Sequence, residues 1–144
     1  TGIPVIVIPQ NWTQERLGTQ PLLGWKESRE AVCAVRHSLP LMRDAKQVNI
    51  VSVVEKFNND EDLIRGVEIS AFLSNHDVVC DFQCVATASE DRNEASTLQR
   101  FALVNNSDLI IIGGYGHSRL REIILGGVTK DLIRSSKVPV LLAH

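Results

Sequence analysis

The sequence predicts an α/β fold, an open parallel sheet of five strands with helices on both faces and an extra N-terminal strand, and three observations predict it. First, Leu109 to Ile112 is four apolar residues with no polar alternation, the pattern of a parallel strand covered on both sides. Second, short apolar runs alternate with single stretches of helical period, which makes βαβ units with right-handed crossovers. Third, the Leu109–Ile112 run stops at Gly113 and Gly114, and further glycines follow at 116, 126 and 127. Glycine permits close backbone approach, and open α/β sheets hold ligands beyond the carboxyl ends of their strands.

Taken in order, Ile3 to Ile8 is β-branched and flanked by Pro4 and Pro9, which suits a short strand near an edge. Residues 10–20 are polar, contain Gly18 and lack a helical period, so they read as a linker. Leu22 to Trp25 is the first strand of the domain proper, and Ser28 is placed to cap the helix after it. Val32, Val35, Leu39 and Met42 recur at helical spacing and give that helix a buried stripe, with Pro40 expected to kink it or end its regular part. Val48 to Val54 is the second strand. Asn58, Asn59 and Asp60 then turn the chain into a helix over about Asp60 to Asn75, with Leu63, Ile64, Val67 and Ala71 as its core face.

Val78 to Val85 alternates in part, with Asp81 and Gln83 on one side, so this third strand has one wet face and lies near a sheet edge. Ser89 is placed to cap the next helix, whose first turn would carry Glu90 and Asp91, favourable to the dipole, and which runs to about Asn105. Asp108 opens the run into Gly113. Gly126 and Gly127 together cost a helix about 2 kcal/mol relative to two alanines, so they mark a break, with a new helix opening at about Val128. Val138 to Ala143 is the last strand.

At 144 residues, 44% hydrophobic and 22% charged, the chain is one ordinary globular domain in composition. A net charge of −2 gives no electrostatic footprint for nucleic acid or an anionic membrane, and no apolar run reaches the length of a membrane span. No signal peptide is visible, and the chain begins at Thr1 without a methionine, so its native N-terminus is expected to lie further upstream. Cys80 and Cys84 on one strand stand about 13 Å apart, too far for a disulfide, although spacing leaves open a bridge from Cys33 to either. Reduced thiols fit a cytoplasmic protein. His37, His76, His117 and His144 have no ligand spacing, which argues against a metal.

The glycine spacing carries a resemblance. Gly113, two residues, Gly116, nine residues, then Gly126 resembles the nucleotide-binding signature Gly-x2-Gly-x9-Gly-Ser/Thr of universal stress proteins. The stretch VTKDLIRSSKVPVLL after it is similar to that family's closing helix and strand, and REAVCAVRHSLPLM to its first helix. The chain departs from the pattern at Gly127, where Ser or Thr belongs; a backbone N–H survives there and a hydroxyl does not. The resemblance covers residues 21–144 and implies strand order 3-2-1-4-5, hence a switch point between the first and fourth strands. It also implies an adenine nucleotide, ATP or a relative, with its phosphates against Gly113, Gly114, Gly116, His117 and Ser118 and against Gly126, Gly127, Val128 and Thr129. A helix start there suits an anion.

Two further residues follow from the same resemblance. Lys26 stands where nucleotide-binding members carry an aspartate near the nucleotide; lysine cannot ligate a metal, yet it can meet a phosphate as a point charge. Val53 stands where a backbone segment meets the adenine. Catalysis finds little support. His117 beside Ser118 is a poor nucleophile and base, since adjacent loop residues seldom face one another, and Ser118 is more simply a cap for a helical turn at Arg119. Three classes remain open: a nucleotide-binding stress module, an interaction module of the same fold without nucleotide, and an enzyme of the wider superfamily. Retention of Gly113, Gly116 and Gly126 favours the first, Lys26 and Gly127 the second, and nothing specific the third.

Finally, Ile3-Pro4-Val5-Ile6-Val7 repeats as Val138-Pro139-Val140-Leu141-Leu142, about one domain length apart. Tandem universal stress proteins join two such domains whose final strands pair antiparallel. The resemblance therefore makes residues 1–20 the closing strand and linker of a preceding domain, with Ile3–Ile8 expected to pair with a closing strand such as Val138–Ala143 in a homodimer or an intramolecular pseudo-dimer. An apolar edge left unpaired is an aggregation hazard, which gives the pairing a physical motive.

Overall fold

The computed structural model describes residues 3–91, 93–114 and 127–143. Six strands and four helices follow one another as β1 (Val5–Val7), β2 (Pro21–Gly24), α1 (Arg29–Asp44), β3 (Val48–Val54), α2 (Asn59–Asn75), β4 (Cys80–Ala86), α3 (Glu94–Val104), β5 (Leu109–Gly113), α4 (Gly127–Ser135) and β6 (Val140–Ala143). They build a single sheet in the order β1-β6-β5-β2-β3-β4. The five strands from β2 onward are parallel, in the expected 3-2-1-4-5 order, and β1 is antiparallel to β6.

Alternate side chains of each central strand go to opposite layers. Leu109 and Ile111 join Leu23, Ile50 and Leu141 under Ala34, Val35 and Met42 of α1 and Ile69 and Leu73 of α2. Ile110 and Ile112 join Leu22, Val51, Val140 and Leu142 under Ala95, Leu98 and Phe101 of α3 and Leu132 of α4. This is why Leu109–Ile112 carries no polar residue: both faces are covered. At its entry, the Asp108 carboxylate accepts the Thr19 and Gln20 amides at 2.7 and 3.0 Å, which fastens the linker to the start of β5. The outer strand β4 has Asp81 and Gln83 exposed, as its alternation required.

Four expectations are corrected. Val32 does not belong to the buried stripe of α1, which is Ala31, Ala34, Val35, Ser38 and Met42. Of the two outcomes expected at Pro40, an end to the helix is ruled out, since it runs through to Asp44; the ring is on the exposed side, where water can meet the carbonyl left without a donor. The core face of α2 is Gly66, Ile69 and Leu73, while Leu63, Ile64, Val67 and Ala71 are exposed. Gly66 decides this, because any Cβ there would collide with the Phe82 ring, so the helix lies on β4 through its glycine. Ser89 does not cap α3. Asn93 does, with extended backbone and its side chain accepting the Ser96 amide at 3.1 Å, so Glu94 rather than Glu90 sits in the first turn. Residues 88–91 form a separate turn, closed by the Ala88 amide donating to Asp91 at 2.8 Å. Among the described residues, no helix is long and apolar enough to cross a membrane.

Candidate functional site

After β2 the chain builds outward through β3 and β4, then returns to the other side of β2 to form β5. The carboxyl ends of β2 and β5 therefore part where the connections turn opposite ways, and such a parting opens a crevice. A cleft of about 920 Å³ lies there. It is walled by the end of β2 from Gly24 to Lys26, by Val51 to Val53 of β3, by Ile112 and Gly113 of β5, and by the first turns of the helices.

Local hydrogen bonds fix its floor. The Trp25 amide donates to the Val51 carbonyl at 2.8 Å, and the Ser52 hydroxyl donates to the Trp25 carbonyl at 2.7 Å. The chain is thereby held to β3 before it turns into Lys26, which is exposed at the rim. Ser28 caps α1 as expected, its hydroxyl accepting the Ala31 amide at 3.1 Å. That first turn stands directly on Gly113: a Cβ built there would lie 2.5 Å from the Ala31 nitrogen and 2.5 Å from the Glu30 carbonyl carbon. Glycine at 113 is thus required by the packing of α1 on β5. Gly114 donates its amide to the Ala143 carbonyl at 2.8 Å, binding the loop start to β6.

On the far wall, α4 opens at Gly127 with Val128 and the buried Thr129 behind it. Its position is set from α3. The cap residue Asn93 donates to the Asp131 carboxylate, and Gln99 donates to the Ser135 hydroxyl at 3.0 Å. Leu132 is fully buried between. Among the described residues, a Cβ on Gly127 would meet nothing within 4 Å, so a hydroxyl-bearing residue fits against them where this chain has none.

Of the residues expected at the site, Lys26, Val53, Gly113, Gly127, Val128 and Thr129 line one cleft, and Gly114 follows directly on Gly113. Gly116, His117, Ser118 and Gly126, with the helical turn expected at Arg119, lie outside the described residues. The cleft also draws in Glu27, Glu30, Glu61, Ile64, Arg65 and Glu94, which sequence reading did not place at the site. The signal was positional, since in a parallel α/β sheet each helix begins at the ligand edge and its first turn faces the crevice. Among the described lining residues, carboxylates outnumber cations. No group of three or more acidic, histidine or cysteine side chains that could hold a metal occurs among the described residues.

Comparison with known proteins gives a family. The model of the universal stress protein family matches residues 22–144. Two relatives are similar over short stretches: a universal stress protein of Synechocystis, 38% identical over 42 residues, and one of Methanocaldococcus jannaschii, 49% identical over 35 residues. Those stretches are 29% and 24% of this chain and only 15% and 22% of the two relatives. Among solved structures, a universal stress protein of Archaeoglobus fulgidus superposes with a TM-score of 0.74 at 17% identity, over 99% of this chain and 50% of that one. A universal stress protein in complex with cAMP superposes with a TM-score of 0.69 at 20% identity, over 88% of this chain and 96% of that one. Both likenesses are of fold.

Proposed function

Since this chain belongs to the universal stress protein family, we propose that it is a stress-response module that binds an adenine nucleotide weakly in the cleft between β2 and β5 and acts by binding rather than by catalysis. The observation that carries this reading is the meeting of the β5 end, the Lys26 rim and the opening turn of α4 around one cleft of nucleotide size. In the proposed pose the phosphates lie toward the Gly113–Ser118 and Gly126–Thr129 segments, and the base lies along the β3 backbone at Val53. The cAMP complex of a protein with the same fold supports an adenine ligand of this general kind. Metal takes no part in the proposed binding, since Lys26 replaces a carboxylate with a cation. The module works in the cytoplasm, where its three thiols stay free.

The second reading is an interaction module that has lost its nucleotide. Gly127 favours it, because the phosphate-facing hydroxyl is missing, and so does the excess of carboxylates over cations on the cleft wall. Calorimetry with millimolar ATP, with and without magnesium, decides between them, together with mass spectrometry of small molecules released from the purified protein. Measurable heat or a co-purified adenine nucleotide supports the first reading; neither in both experiments transfers the proposal to the second.

The assembly proposed with this function is a tandem one, in which residues 1–20 belong to a preceding domain of the same fold. Support comes from the pairing of β1 with β6 and from the Archaeoglobus fulgidus structure, which matches nearly all of this chain with half of its own.

A further inference from the structure

We propose that a second copy of this chain docks on the face formed by α1 and α2, through a two-fold contact that lays α1 of each copy over α2 of the other. The first observation is an apolar stripe that the core does not use. Leu63, Ile64 and Val67 of α2 are 71%, 72% and 63% exposed and share one side of the helix. Exposed branched side chains adjoining on one face suit an interaction site, where single ones would need no explanation. Asp60, Glu61 and Glu68 flank the stripe.

The second observation is the neighbouring helix. Arg29, Arg36 and Arg43 are exposed on α1 at seven-residue spacing, with the 40% exposed Val32 beside them. The two helices cover the same layer of the core and are tied together where Arg43 donates through Nε to the His76 carbonyl at 3.0 Å. Among the described residues, no carboxylate lies within ion-pair distance of Arg29 or Arg36, and no cation lies within that distance of Glu68. One face therefore carries a basic ridge beside an acidic, apolar one.

Charge selects the pairing. Two α2 stripes facing each other set acid against acid, and two α1 ridges set arginine against arginine. Each mismatch is repulsive; only α1 on α2 matches opposite charges and covers the apolar stripe. Both helices follow parallel strands and start from caps, Ser28 and Asn58, at the same edge of the sheet, so they run in the same direction. A two-fold axis along that direction exchanges α1 with α2 and makes the contact isologous. Arg29 and Arg36 repeat every seven residues, as do Glu61 and Glu68, a step of about 10.5 Å on each helix, so both pairs meet in one register.

A face two helices wide and about 24 Å long covers about 500 Å² per copy, below the usual 800 Å² or so of stable complexes. The contact should accordingly be weak, concentration-dependent and sensitive to salt. It does not rest on nucleotide binding, although Glu61 and Ile64 also line the cleft, so the second copy would stand beside its mouth.

Sedimentation velocity across a concentration series tests this with Arg36→Glu and Glu68→Lys, both at exposed positions. Each variant alone is expected to weaken self-association at least about tenfold, because both contacts between positions 36 and 68 in its own dimer become like-charged. An equimolar mixture of the two is expected to associate again, since both cross-contacts are then attractive, and high salt should weaken that mixed dimer. A wild-type chain that stays monomeric throughout the series, single variants that associate like the wild type, or a mixture that fails to recover would each overturn the proposal. Thermal melts that match the wild type confirm that the variants are folded.

Discussion

The first turn of α1 rests on Gly113 so closely that a Cβ there would stand 2.5 Å from the Ala31 nitrogen. That amide is the one capped by Ser28, so a side chain at 113 would push the capped turn off β5. Backbone cannot move aside as a flexible side chain can. Gly113→Ala is therefore expected to cost about 3 kcal/mol, the upper part of the overpacking range, read as a lower urea midpoint with unchanged slope. A variant within about 0.5 kcal/mol of wild type would show that α1 can shift freely.

A second expectation concerns Asp91. Its carboxylate receives the Arg100 guanidinium at 2.8 Å, the Thr97 hydroxyl at 3.0 Å and the Ala88 amide at 2.8 Å. The Arg100 hydrogen bond first, opposed by burial and then aided by the Ala88 and Thr97 bonds, holds its pKa well below the usual carboxylate range. With a folded pKa below the unfolded one, the stabilisation is complete above pH about 4 and is lost as pH falls toward the folded value. Asp91→Asn is expected to cost about 2 kcal/mol near neutrality, discounted because Arg100 is 36% exposed. The deficit should shrink between pH 4 and about 2. Unfolding at several pH values checks it, and a deficit that stays constant down that range rules out the carboxylate as its source.

These two sites also show what sequence could and could not reveal. Leu109 to Ile112 was legible because a strand covered on both faces admits no polar residue. Ser28 was legible because capping is local chemistry. The stripe on α2 was visible as a stripe, but periodicity does not say which way a helix is turned; Gly66 against Phe82 settles that, and their contact spans two elements. Asp91 was placed in a helix for its charge, whereas a partner nine residues on, Arg100, holds it in a turn. At the cleft, strand-end residues were found by their spacing, while Glu30, Glu61, Arg65 and Glu94 required the sheet to be assembled first.

At the proposed nucleotide site, Gly127→Ser tests whether the missing hydroxyl limits affinity. Among the described residues a Cβ there meets nothing within 4 Å, so the substitution fits against them. One added hydrogen bond to a phosphate contributes about 1 kcal/mol, or roughly fivefold in affinity. Calorimetry with ATP should show tighter binding for the variant. Equal or weaker binding would place the phosphates away from the opening turn of α4.

Lys26 gives a test with the metal as its variable. A lysine at the rim meets phosphate directly and supplies, at that position, no carboxylate to share a magnesium ion, so affinity should change little across a magnesium titration. Lys26→Asp should make binding magnesium-dependent. Identical curves for the two proteins would put Lys26 outside the ligand's reach.

The last prediction follows from Ile6, which lies opposite Leu141 in the β1–β6 pair, with Val5 opposite Leu142 and Val7 opposite Val140. In the repeat that joins the chain ends, Val5 corresponds to Val140, Ile6 to Leu141 and Val7 to Leu142. Each partner of β1 is thus the counterpart of the residue on the other side of Ile6, so the pair has the register that two copies of β6 would adopt around a two-fold at Leu141. On the proposed tandem reading, β1 holds the place of the preceding domain's closing strand. Deleting residues 1–9 should then uncover a β6 edge complementary to itself, and an unpaired apolar edge seeks a partner. The shortened chain is expected to form an antiparallel dimer that a synthetic peptide of residues 1–9 takes apart. Light scattering after chromatography reads the outcome: a soluble, folded monomer would mean that β1 is an ordinary flanking strand, and the tandem reading would lose its structural support.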